Sequence, residues 1–136
     1  MNYTFLIFEN AQGFALRTDP DEKKRTAYWT AWPAYVQALR NAGVFVDGAG
    51  LEPPHTATTL RPQRDQQQVQ DGPYADTKEQ LGGFFIIDVP DLDSALEWAA
   101  RIPAAPGSVI EVRPNLVPPA AEIARRTPVE QAGAQP

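Results

Sequence analysis

The sequence predicts an α+β fold: a ferredoxin-like split βαβ sandwich carrying a β-hairpin insert. Three observations predict it. Short apolar runs rich in aromatic and β-branched residues recur at residues 3–9, 44–47, 84–89 and 108–113. Stretches of helical period at residues 21–42 and 91–102 alternate with them, in the order strand, helix, strand, twice over. A polar segment rich in glutamine and proline separates the two units. Two βαβ units in series form one sheet with both helices on the same face.

Each element has its own justification. In YTFLIFE, residues 3–9, one face is Tyr3, Phe5 and Ile7 and the other Thr4, Leu6 and Phe8. Both are mainly apolar, which predicts burial on both sides. Asn10 and Gly13 bound the strand. In residues 21–42, Tyr28, Trp32, Tyr35 and Leu39 fall at helical spacing, and Gly43 supplies the stop. Such a stripe of aromatics is more often core than ligand platform. Pro33 is costly inside a helix. It marks either a kink or the first turn of a segment capped by Thr30, and the sequence leaves both open.

VFVD, residues 44–47, predicts the second strand, with Gly48, Gly50, Pro53 and Pro54 breaking the pattern. TATTLR (56–61) and DQQQVQ (65–70) flank Pro62-Gln63-Arg64 as a polar hairpin, placed at an edge or over a cleft. Asp71-Gly72-Pro73 is turn chemistry. Asp76 and Glu79 have capping-box spacing, predicting one helical turn ended by Gly82-Gly83. FFIIDV, residues 84–89, is apolar on both faces. Asp91 is the predicted cap of the second helix, whose buried stripe is Leu92, Ala95, Leu96 and Ala99. Glu97 and Arg101 are spaced as an i,i+4 pair, and Pro103 ends the helix. SVIEVR, residues 108–113, closes the sheet. The domain is assigned to residues 1–116, and residues 117–136 to a Pro/Ala-rich tail with one weak helix near residues 120–125.

Composition restricts the function. The 136 residues suffice for one domain with a core. Twelve Lys and Arg against 17 Asp and Glu give a net charge of −5, which does not suit nucleic-acid binding. The basic run Lys23-Lys24-Arg25 follows Asp19, Asp21 and Glu22, which cancel its field. The chain has no cysteine and a single histidine, His55, so it offers no thiolate zinc site, cysteine nucleophile or multi-histidine metal cluster. No cofactor, metal, nucleic-acid or membrane partner is expected. The apolar run of MNYTFLIFEN is too short for a leader or membrane span, so the expected compartment is cytoplasmic.

TATTLR at Thr56, DGPYADTKEQLGGFFIID at Asp71, ALEWAARIP at Ala95 and SVIEVRP at Ser108 together resemble the YCII-related family, DGPF type. Tyr74 stands where the family's name has phenylalanine. The resemblance implies a dimeric α+β barrel in which the open sheet faces of two subunits pack together, with the first and third core strands central. Most DGPF-type members have no assigned activity. A related branch includes a dehydrochlorinase-type lyase that uses a histidine on the first helix with an aspartate. That histidine position falls near Trp32 here, and residues 21–42 contain no histidine.

Candidate site residues follow from the turn and the insert. Asp71 is a candidate general base, although aspartate before glycine is also ordinary turn chemistry. His55 is a second candidate base if the insert folds over the cleft, against the ordinary reading of a surface loop histidine. Gly72, Pro73, Tyr74, Lys78 and Arg113 are candidate ligand contacts. Glu79 is explained by capping, Lys78 has the alternative of plain exposure, and Arg113 that of pairing with Glu111. The expected function is a homodimer binding a small organic ligand between sheet, insert and DGPY turn, with lyase-like acid/base chemistry. The alternative is a non-catalytic regulatory module associated with transcription, since some members are encoded beside sigma factors. The sequence leaves open whether the protein is an enzyme.

Overall fold

The computed structural model describes residues 1–119; the predicted weak helix near residues 120–125 lies outside them. Strand β1 (Asn2–Glu9) leads into a short helix α1 (Ala11–Ala15), a 3-10 turn (Leu16–Thr18) and the long helix α2 (Glu22–Asn41). Then come β2 (Phe45–Gly50), a 3-10 turn (Pro54–Thr56), the hairpin β3 (Thr58–Arg61) and β4 (Gln68–Asp71), β5 (Gln80–Asp88), α3 (Leu92–Ala99) and β6 (Val109–Pro114). The main sheet has the order β2-β5-β1-β6 with every neighbouring pair antiparallel. The first and third core strands, β1 and β5, are its two central strands. The α+β split βαβ plan stands.

Helices α2 and α3 close one face of this sheet around a single core. Tyr3, Phe5 and Ile7 of β1 and Phe85 and Ile87 of β5 meet Tyr35 and Leu39 of α2 and Ala95 and Ala99 of α3. Tyr35 ties the helices together by donating its hydroxyl to the Trp98 carbonyl at 2.8 Å. On the opposite face Thr4, Leu6, Phe8, Phe84 and Ile86 are only half-buried. The predicted burial of both faces of these strands is therefore complete on the helix side alone within one chain.

Local signals for the helices hold. Asp21 caps α2 by accepting from Lys23 N at 2.9 Å, and Gly43 ends it with φ +73°. Asp91 caps α3 by accepting from Ser94 N at 2.8 Å. Pro33 lies inside α2, which continues through it from Glu22, so Thr30 caps nothing.

Other expectations change, each for a tertiary reason. β2 does not stop at Asp47 but runs to Gly50. Gly48 permits close approach of β5: a Cβ there would meet Phe85 Cδ1 at 2.5 Å. Gly82-Gly83 is not a helix stop but part of β5, where a Cβ at Gly83 would meet the Ala49 carbonyl at 2.8 Å. The capping box at Asp76 and Glu79 forms no helical turn. Side-chain bonds to the backbone replace it: Thr77 Oγ1 donates to Glu79 O at 2.6 Å, and Gln80 Nε2 to Ala75 O at 2.6 Å. In α3 only Ala95 and Ala99 of the predicted stripe are buried; Leu92 and Leu96 are about half exposed, at 48% and 47%. Arg101 lies over the Trp98 ring at 4.3 Å rather than reaching Glu97. Gly13 sits inside α1, while Asn10 caps that helix by accepting from Gly13 N at 2.9 Å.

Candidate functional site

A cavity of about 670 Å³ opens between α2, the sheet and the segment 48–52. That size suits a small organic molecule. Its α2 wall is aromatic: Tyr28, Trp29 and Trp32, backed by Phe45 and Phe85. Tyr28 meets Trp29 edge-on at 5.1 Å, and Trp32 lies nearly parallel to Phe85 at 6.4 Å between centroids. The predicted stripe thus divides along the helix. Tyr35 and Leu39 are core, whereas Tyr28 and Trp32 face the cavity.

Buried Glu9 and partly buried Arg17 form an ion pair in the cavity lining. Glu9 continues the inward face of β1 past Ile7 and is 2% exposed. Arg17, on the 3-10 turn after α1, brings Nη2 to within 3.2 Å of Glu9 Oε2. The same guanidinium donates from Nε to the Tyr28 hydroxyl at 2.9 Å, and to the carbonyls of Leu51 and Gly82. One arginine therefore joins β1, α2, the exit of β2 and the start of β5. Such a fork of fixed donors suits it to this task better than a lysine.

Gly82 makes the pair possible. The β1–β5 register slips where Ile7 pairs with Gly83 and Phe8 with Leu81, leaving Gly82 as a bulge. Its carbonyl accepts from Leu51 N at 2.8 Å as well as from Arg17. Its missing side chain leaves room for the Glu9 carboxylate.

The electrostatics follow from this burial. Removal from water pushes the Glu9 carboxyl above its ordinary range, and the Arg17 charge and hydrogen bond only partly oppose this. Burial also pushes the Tyr28 phenol up, assisted by the nearby Glu9 charge, against the opposing Arg17. Among the described residues Glu9 Oε1 and Trp32 Nε1 are buried without a hydrogen-bond partner, a condition native structures rarely tolerate without a reason.

The residues singled out from sequence lie elsewhere. Asp71 is the exposed last residue of β4, opposite Thr58. Gly72 has φ +91°, donates to Ala57 O at 2.7 Å and accepts from Thr59 Oγ1 at 2.7 Å. Pro73 alone of the set borders a cavity, a second one of about 350 Å³ that shares Leu51 and Glu52 with the first. His55 is exposed in its 3-10 turn, and no hydrogen bond links it to Asp71 among the described residues. Tyr74 is 75% exposed beneath Arg61. Lys78 is exposed, and Arg113 Nε pairs with Glu111 Oε2 at 2.6 Å.

Sequence reasoning missed Glu9 and Arg17. The signal for Glu9 was an acid continuing the apolar series Tyr3, Phe5, Ile7. For Arg17 no local signal exists, because its partners come from four separate elements.

Comparison with known proteins identifies the family of the chain. An uncharacterised protein of Rhizobium meliloti (strain 1021) is 45% identical over 75 residues, which span 54% of this chain and 60% of that protein. The match thus covers less than two thirds of the relative's length. The family model described as "YCII-related domain" matches residues 1–116, the whole of the sheet and its helices. The chain belongs to the YCII-related domain family.

Proposed function

We propose that the protein binds a small organic molecule in the cavity between α2, the sheet and segment 48–52. One observation carries the reading: an aromatic-walled cavity of about 670 Å³ ends on a buried carboxylate paired with a partly buried guanidinium. Concave apolar walls with a few fixed polar groups are the usual form of a ligand site. Any acid/base chemistry there falls to Glu9, a desolvated carboxyl with a raised pKa in the cavity wall. Asp71 and His55 are exposed and border neither cavity, which favours Glu9 over them.

The assembly belongs to the same reading. The sheet face away from the helices carries half-buried Leu6, Phe8, Phe84 and Ile86, a surface suited to a two-fold partner. A homodimer closed through this face is expected from sedimentation equilibrium; a stable monomer at micromolar concentration removes that part.

The ligand part is tested by a thermal-shift screen of small organic compounds, since a molecule that binds the native state raises its melting point. Stabilisation by a hit should disappear in Trp32→Ala and persist in Asp71→Asn and His55→Ala. Hits insensitive to Trp32→Ala place binding outside this cavity and overturn the reading.

A further inference from the structure

We infer that the cavity selects an uncharged, flat molecule bearing an acceptor oxygen, with the Tyr28 hydroxyl as the donor that recognises it. The inference rests on the cavity being a binding site and specifies what it takes.

Charge is the first argument. Four charged side chains line the cavity, Glu9 and Glu52 against Arg17 and Arg40, so the signs balance. The pair is neutral as a unit, with Arg17 engaged by Glu9, Tyr28, Leu51 and Gly82, although Glu9 Oε1 is left without a partner. Arg40 at the rim lies 4.4 Å over the Phe45 ring. An anion brought to the floor meets the Glu9 carboxylate and finds Arg17 already paired. A cation meets a carboxylate already matched. Either ion leaves water without meeting an unmatched opposite charge on the floor, and desolvating an unpaired charge is costly.

An unpartnered donor is the second argument. The Tyr28 oxygen accepts from Arg17 Nε at 2.9 Å, and among the described residues its own hydrogen has no acceptor. A phenol is protonated at neutral pH, and burial pushes this one further up. A donor on an aromatic ring calls for an acceptor oxygen on a planar frame, and the wall of Trp29, Trp32 and Phe85 suits such a frame.

Three probes of one shape test this: 2-naphthol, 2-naphthoate and 2-naphthylmethylammonium, titrated calorimetrically into the full chain at neutral pH. The neutral 2-naphthol should bind roughly tenfold or more tightly than either ion. Tyr28→Phe should weaken 2-naphthol about five- to tenfold, the range of one hydrogen bond, while leaving the ions unchanged. Equal or tighter binding of naphthoate overturns the inference and points to Arg40 as an anion contact. Unchanged 2-naphthol affinity in Tyr28→Phe overturns the role of the hydroxyl. If Tyr28→Phe fails to fold, the three-probe ranking on the unaltered protein decides. No binding of 2-naphthol, alongside a different thermal-shift hit that Trp32→Ala abolishes, overturns the ligand class and leaves the cavity reading intact.

Discussion

Glu9 and Gly82 share one volume: the Glu9 carboxylate fills the space that a side chain at position 82 would occupy. The bulge in β5 and the buried acid in β1 are therefore one feature. Gly82→Ala is expected to displace the carboxylate and weaken its contact with Arg17. Because a flexible side-chain end gives way before backbone does, the fold should survive with a loss of about 1–3 kcal/mol. Urea denaturation measures the loss, and an unchanged stability shows that Glu9 relocates freely.

Glu9 also sets a pH dependence. Its folded-state pKa is raised above the ordinary value near 4.5. Below that value the carboxyl is protonated folded and unfolded, and its contribution is fully present. As pH rises through the higher folded value, the native state releases a proton it holds more tightly than the unfolded chain does, and the contribution is lost. The stability of the natural protein relative to Glu9→Gln should fall as pH rises above the ordinary carboxyl value near 4.5. Denaturant titrations at several pH values read this directly, and a difference that grows with pH contradicts it.

Asp71 and Gly72 are neighbours with opposite expectations. The Asp71 side chain is exposed at the end of β4, so Asp71→Asn should change stability by less than about 0.5 kcal/mol. Gly72 has φ +91°, where a β-branched residue is strained. Gly72→Val should cost about 1–3 kcal/mol. Paired melting curves separate the two, and equal losses contradict the assignment.

Pro33 interrupts the hydrogen bonding of a 20-residue helix. Its missing N–H leaves the Trp29 carbonyl without its intrahelical partner. Pro33→Ala should stabilise the protein by about 2 kcal/mol, after allowing for the greater freedom of the unfolded chain. A melting point that does not rise shows that the surroundings have adapted to the proline.

What the sequence by itself determined was local: the strand and helix periods, the cap at Asp91 and the glycine stop at Gly43. Each is decided within a few neighbouring residues, by backbone sterics, capping and the match of apolar period to element. The tertiary structure decided the rest. Glycine reads locally as a breaker, yet Gly48, Gly82 and Gly83 lie inside strands because other chain segments approach them there. Tyr28 and Trp32 share a stripe with Tyr35 and Leu39, yet the sheet and segment 48–52 leave the first two facing a cavity. Arg17 belongs to the site because the bulge at Gly82 and the exit of β2 bring two carbonyls to it, 65 and 34 residues along the chain. No local pattern encodes such a meeting. It arises only when strand register fixes which distant residues share one space.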